Sequence, residues 1–505
     1  MTAREFFVDV FALTQFVLLS NGLEYLSESD VQERTSTYCV VAGLQTDSVR
    51  LSSDIHILLS SLERTFELEE TVSVAILNFR PKSVGSVDPP CIAVYPRVGI
   101  DRTCLYAYAL SRSISQPKYY DGPIQLNIVT QFVNEHCGTY RQAPDRLTDS
   151  GLVRQSILDN LFTVKSSSQR CDRIEVPTMA DFFSNYLVQS RPVVIAGGIK
   201  HWDAMTRWTR DYLYSKFGQN MVHVKLAPNG EFEGCERASD WDDYDHFTIP
   251  EIVKRQLQFP DLVVVRPATL DVSFSFFLDM ITDRKSVSKN VSAYLEYSSI
   301  PQYMPDLEED IEELPFVKGL LTRRQLNLWL SDGNTLGKLH FDPFDNLLCQ
   351  ISGTKHVTLY EPHNNTRLYE SHIPEALLGF DQQGHQFRRK KLLDSTSMVM
   401  SPVDITRPDT KRFPLFSSVS PMHCTIHPGD VLYMPAFWWH EVQSTPDQKE
   451  KRNMAVNYWY EPFLTKEFPC PKCKLDINKH YRNLLANHPS AYCDSVHCFH
   501  FSVLN

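Results

Sequence analysis

The chain of 505 residues has little glycine, 19 in all, and no run of 18 or more uninterrupted apolar residues. The first scarcity excludes collagen-like and low-complexity classes, and the second excludes a long apolar spanning helix. Positive charge is not in excess either: 50 Lys and Arg stand against 61 Asp and Glu, a formal net charge of -11. General nucleic-acid binding is therefore not expected, and a basic protein segment is the better partner. Twelve cysteines are too few for a disulfide scaffold in so long a chain. None of those in residues 1–141 (Cys39, Cys91, Cys104, Cys137) stands in a Cys-x-x-Cys pair, which excludes a redox-active dithiol there. What is present is a globular composition, 42% hydrophobic and 22% charged. At roughly 100–200 residues per domain, this length allows about three domains.

Residues 6–19 carry apolar positions at Phe7, Val10, Phe11, Val17 and Leu18 that fit one helix face. The same run, following Arg4 and ending in Ser20-Asn21-Gly22, is similar to a secretory signal, although Asp9 inside it counts against export. Two glycosylation sequons, at Asn290 and Asn364, are compatible with secretion.

The first 141 residues alternate strand and helix patterns: strands over 38–43 and 72–79, an amphipathic helix over 54–66, a short strand at 92–94 and a helix over 128–137. Tyr120-Asp-Gly-Pro123 and Phe132-Val-Asn-Glu-His-Cys-Gly-Thr-Tyr-Arg141 resemble the second half of the thioredoxin-like domains of protein disulfide isomerases. The resemblance implies an α/β domain over 1–141, with Pro96 in place of the family's cis-proline. Lacking Cys-x-x-Cys, it would bind or position rather than exchange disulfides.

Residues 142–175 are polar and read as a linker, with one short helix at 153–161. From 176 to about 465 many short strands separated by Gly, Pro and Asp turns predict a mainly-β jelly roll, including 191–198, 221–226, 326–330, 347–351, 355–360, 430–434 and 454–460. Within it, Gly337-Lys-Leu-His-Phe-Asp-Pro343 places His340 and Asp342 two apart on a strand, hence on one face. The buried run from Gly429 ends at Trp438-Trp439-His440, where a turn at Pro435 could aim a second imidazole inward. Two histidines and one carboxylate leave open positions on an octahedral metal, the arrangement suited to non-heme Fe(II) and oxygen chemistry.

These motifs, with Pro428-Gly-Asp430 and Asn457-Tyr-Trp-Tyr460, resemble the jumonji-C hydroxylases of the cupin superfamily over about residues 176–465. The resemblance implies Fe(II) held by His340, Asp342 and His440, with 2-oxoglutarate and O2 as cosubstrates. It also implies that Lys355 pairs with the distal carboxylate of 2-oxoglutarate and that Tyr294, Asn346 and Asn457 help to bind it. One position departs from the pattern: Gly337 stands where the family often has a Thr donating to the cosubstrate, and Thr335 or Tyr294 would have to compensate.

Further stretches, among them Ala227-Pro-Asn-Gly230, Phe274-Ser-Phe-Phe-Leu-Asp279 and Arg412-Phe-Pro414, are similar to the lysyl-hydroxylase branch. They imply hydroxylation of a protein lysine, with a GTPase segment as the specific candidate, and leave a homodimer open. N-methyl-lysine demethylation with the same cofactors, or a non-enzymatic binding protein with a decayed cosubstrate site, are the alternatives. The acidic residues between Asp306 and Glu313 could attract a basic substrate or simply form a solvated face. The hydroxylase resemblance implies cytoplasm or nucleus; the thioredoxin-like one implies the lumen of the endoplasmic reticulum. In the tail, 466–505, Cys470-Pro-Lys-Cys473 and Cys493-x4-Cys498 could hold a structural zinc, or form disulfides in an oxidising compartment.

Overall fold

A computed structural model describes residues 170–282, 291–466 and most of 468–481, together with the regular elements between residues 24 and 158. The chain divides into two compact units, Met1–Ile100 with Ser111–Val153, and Asp101–Leu110 with Arg154–Asn505. The segment 6–19, Pro96, the sequon at Asn290 and the cysteines Cys493 and Cys498 lie outside the described residues.

In the first unit the strands are β1 (Glu24–Leu26), β2 (Cys39–Leu44), β3 (Val72–Leu77), β4 (Cys91–Tyr95) and β5 (Lys118–Tyr120). They form one sheet in the order β1-β3-β2-β4-β5, with the first three parallel and the last two antiparallel. The helices Ser53–Phe66 and Leu126–Cys137 match the apolar spacing of the sequence, and Leu58, Leu59, Leu62, Val129 and Val133 pack on Val41, Val74 and Ile76. Cys39 and Cys137, 98 residues apart, are joined as a disulfide from strand to helix. A two-stranded ladder, β6 (Arg141–Gln142) with β7 (Arg146–Leu147), follows.

The second unit starts before the sequence pattern indicates. β8 (Asp172–Ile174) pairs in parallel with β9 (Val193–Ile195), so the end of the apparent linker is an edge strand. Arg173 forks onto both oxygens of the buried Asp430 at 2.9 and 2.8 Å, and Cys171 is disulfide-bonded to Cys424. The remaining strands are β10 (Met221–Pro228), β11 (Glu231–Phe232), β12 (Cys235–Arg237), β13 (Leu262–Arg266), β14 (Ala268–Ser273), β15 (Val291–Ser299) and β16 (Arg323–Ser331). β17 (Leu336–Phe341), β18 (Asp345–Ser352), β19 (Thr354–Tyr360), β20 (Ser371–Asp381), β21 (Gln386–Met400) and β22 (Met422–Ile426) come next. β23 (Val431–Met434), β24 (Trp439–Thr445), β25 (Asn453–Tyr460), β26 (Leu464–Thr465) and β27 (Asp476–Ile477) complete the series.

Two sheets make the roll. The larger has nine strands in the order β14-β10-β15-β16-β25-β18-β23-β9-β8, and the smaller has five, β11-β17-β24-β19-β22. β18 and β25 are buried at every position, as expected of central strands covered on both faces. Val194, Leu348, Val357, Leu359, Leu432 and Ala455 form a core between the sheets. The strand pattern thus agrees with the mainly-β reading of 176–465.

The acidic stretch is not one solvated face. Asp310 is buried, paired with Arg207 and accepting from Trp208 Nε1 at 2.8 Å; Asp306 pairs with Lys216 and Glu308 with Arg323. Half of its charge is thereby engaged within the molecule. The sequon asparagine Asn364 is buried, with its Oδ1 accepting from Arg367 Nη1 at 3.0 Å.

Candidate metal centre

β17 and β24 are antiparallel neighbours in which His340 and His440 stand directly opposite each other. The imidazoles lie 4.4 Å apart, centroid to centroid, and Asp342 follows two residues after His340 with a carboxylate oxygen 3.6 Å from His440 Nε2. One ligand atom from each of the three side chains lies within 4.8 Å of the others. His340 Nδ1–H donates to Lys338 O at 2.6 Å, and His440 Nδ1–H donates to Trp438 O at 3.0 Å. A carbonyl only accepts, so both rings carry the proton on Nδ1 and leave the Nε2 lone pair for a metal, with His440 Nε2 beside Asp342.

Burial, reinforced by His340, lowers His440 to about 3, so this ring is neutral at physiological pH and its contact with Asp342 is not an ion pair. Burial also pushes the Asp342 carboxyl above its ordinary range, with His340 opposing. A neutral imidazole and a costly buried carboxylate are what a divalent cation would stabilise. The donor set fits Fe(II), two imidazole nitrogens and a carboxylate on one face.

All seven residues that the sequence assigns to metal and cosubstrate line one cavity: His340, Asp342, His440, Lys355, Tyr294, Asn346 and Asn457. Lys355 is buried on β19, and its Nζ donates to Ser444 Oγ at 2.9 Å. Burial pulls its ammonium down to about 7, with Glu296 opposing. No carboxylate stands within ion-pair distance of it among the described residues, so the site holds a cation in want of an anion. Asn457 is fully buried; its Oδ1 accepts from Trp329 Nε1 at 2.7 Å and Asn327 Nδ2 at 3.2 Å, and its Nδ2 donates to Asn346 Oδ1 at 3.1 Å. It therefore fixes Asn346 and leaves the Asn346 amide donor outside this network. Tyr294 packs against Phe232 and Trp329, 5.9 Å from Lys355 Nζ measured at the ring centroid.

These features predict a pH dependence. A dicarboxylate binds the protonated Lys355, and protonation of the free protein falls as pH rises through about 7. Affinity for 2-oxoglutarate should therefore be level below pH 7 and weaken by about tenfold per unit above it. Calorimetric titration between pH 6 and 9 reads this directly, and a flat profile would mean that another cation holds the ligand.

Gly337 lines the same cavity, and a Cβ built there meets only Val442 O, at 4.0 Å. The backbone there has room for a Cβ, as a Thr would require. Gly337→Thr should lower the KM for 2-oxoglutarate by about tenfold, the lower range for a hydrogen bond to a charged group. An unchanged KM would show that Thr335, buried in the same wall, already supplies that donor.

Residues without a legible motif complete the walls. Glu233 and Tyr297 have left-handed backbones, φ 61° and 53°, a strain of about 1–3 kcal/mol each of the kind that gathers at functional sites. Lys225 bonds Glu296 and stands 3.4 Å from Glu233. Burial would raise Glu233, but Lys225, His340 and Arg266 outweigh it and hold the carboxylate ionised. Glu296, more deeply buried, is pushed up instead. Neither glutamate falls in a spacing that sequence reading could single out; the turn Pro228-Asn229-Gly230 just before β11 was the nearest signal.

In the tail, Cys470 and Cys473 are bonded to each other, which removes the two thiolates that a zinc reading needs from that half.

The smaller sheet of the jelly roll carries His340 and His440, and Asp342 follows directly after β17, a set of side chains that could hold a metal ion. The profile of the cupin-like domain matches residues 179–466, and the chain belongs to that family. Among similar proteins, the human bifunctional peptidase and (3S)-lysyl hydroxylase JMJD7 is 27% identical over 292 residues, 56% of this chain and 82% of its own. The Arabidopsis thaliana lysine-specific demethylase JMJ32 is 29% identical over 306 residues, 59% of this chain and 83% of its own. Lysine-specific demethylase 8 of Xenopus tropicalis is 25% identical over 303 residues, 59% of this chain and 55% of its own.

Proposed function

We propose that the chain is an Fe(II)- and 2-oxoglutarate-dependent protein hydroxylase acting on lysine side chains. The observation that carries this is a single cavity holding a three-ligand metal set and a buried lysine with no carboxylate partner among the described residues. His340, Asp342 and His440 would hold the metal, Lys355 the distal carboxylate of 2-oxoglutarate, and Asn346 and Tyr294 its other end. Once bound, metal and cosubstrate supply the oxidising power to place one oxygen atom of O2 in a substrate C–H bond as 2-oxoglutarate becomes succinate and CO2. Phe232, Trp329 and Tyr297 exclude water from the reacting centre, and the ionised Glu233 offers negative charge to an incoming ammonium.

A larger cavity of about 690 Å³ shares Glu233 and Lys338 with the metal cavity. Its walls carry both signs, Glu231, Glu236 and Asp404 facing Arg388, Arg389 and Arg407, which suits a polypeptide segment better than a small molecule. Lysine peptides, GTPase segments among them, are the substrates to offer. A gain of one oxygen on an unmethylated lysine, read by mass spectrometry, is the expected product. Loss of a methyl group from N-methyl-lysine with no oxygen gained would favour the demethylase reading.

The order β1-β3-β2-β4-β5, with its three parallel and two antiparallel strands, supports the thioredoxin-like reading of 1–141 as a module without exchange chemistry. The disulfides Cys39–Cys137 and Cys171–Cys424 support maturation in an oxidising compartment.

A further inference from the structure

The two strands that carry the metal ligands share a buttress on the side away from the cavity. Phe341 lies between His340 and Asp342 and, by strand alternation, faces the opposite way. Its ring meets Trp439 edge-on at 4.8 Å and Phe437 at 5.7 Å, and Phe437 N–H donates to Asp342 O at 2.9 Å. Against this trio stands an ion pair with both side chains wholly buried, Lys466 Nζ to Glu370 Oε2 at 2.6 Å. Lys466 sits over Phe341 at 5.4 Å and over Phe437 at 5.9 Å, within cation–π range of both rings. Glu370 Oε1 accepts from Cys470 N at 2.9 Å, and Cys470 is locked to Cys473. Phe468, in the same strap, closes on Phe341 and Phe437 at 5.9 and 5.7 Å. Asn365 ties in the second ligand strand: it accepts from Trp439 Nε1 at 2.7 Å, and its carbonyl accepts from Glu370 N at 3.0 Å.

Burying both charges is costly, and replacing such a pair by apolar groups of similar volume is often neutral or stabilising. Fold stability is therefore a poor reason for its presence, while its contacts converge on the residues next to all three ligands. We infer that Lys466 and Glu370, held by the Cys470–Cys473 loop, are positioning residues that set the separation of the two ligand strands and so the affinity of the centre for its metal. This rests on the metal-site reading and adds to it a support outside the cavity.

Isothermal titration with Mn(II) tests it, since Mn(II) accepts the same nitrogen and oxygen donors without oxidising. In the full chain, Lys466→Met combined with Glu370→Leu should keep the melting temperature at or above that of the unaltered protein and weaken Mn(II) binding by about 10- to 100-fold, the range for outer-shell partners. Phe277→Ala, a cavity in the remote helix Phe274–Thr282, should lower the melting temperature and leave Mn(II) affinity unchanged. Should the double variant fail to fold, Cys470→Ser with Cys473→Ser decides, with several-fold weaker Mn(II) binding expected. Unaltered Mn(II) affinity in the deciding variant, or an equal loss in Phe277→Ala, overturns the positioning role. No Mn(II) binding by the unaltered protein would overturn the metal-site reading itself, and the inference with it.

Discussion

Asp342→Ala should reduce succinate-forming turnover by about 10³-fold or more while the melting temperature holds or rises. The loss follows from removing the sole carboxylate of the ligand set, where even outer-shell partners cost about 10- to 100-fold. The stability follows from the sign of the carboxyl's shift. Burial raises Asp342 above its ordinary range, so the folded state penalises its charged form, and Ala relieves that cost. Thermal melting beside a succinate assay separates this from unfolding. A variant that loses turnover and stability together would make Asp342 structural rather than a ligand.

The second large effect concerns Cys171 and Cys424, which are 253 residues apart and join the edge of the larger sheet to β22. A cross-link over so long a loop removes about 5 kcal/mol of denatured-state entropy on the chain-entropy account. Cys171→Ser with Cys424→Ser should therefore lower the melting temperature by about 10 °C, at the low end of the shift per kcal/mol for large domains. A reductant should do the same to the unaltered protein, and non-reducing peptide mapping should recover the linked pair. Two free thiols in native protein, with no response to reductant, would point to a reducing compartment and sink the luminal reading.

How much of this was legible beforehand differs by kind of residue. His340 and Asp342 were readable because strand alternation converts a spacing of two into a shared face. The strands themselves were readable wherever burial on both sides leaves a continuous apolar run, as in β18 and β25. Lys355 and Asn457 needed the family resemblance, for nothing local marks a lysine as lacking a carboxylate partner. The direct opposition of His340 and His440 could not be read at all, because cross-strand register joins residues 100 apart in number and depends on the whole roll. The edge strand β8 reads as linker because three residues beside polar neighbours carry no periodicity; Arg173 and Cys171 are fixed by Asp430 and Cys424, far along the chain. Glu233 and Tyr297 stayed hidden because left-handed backbone at non-glycine residues is imposed by the surroundings rather than by their own preference.

The central claim is that one cavity binds metal and 2-oxoglutarate together, and anaerobic calorimetry of 2-oxoglutarate binding, with and without Fe(II), tests it most directly. Binding should require the metal, persist in Gly337→Thr, and be lost in both His340→Ala and Lys355→Ala. Equal binding without Fe(II), or no binding with it, would contradict the account.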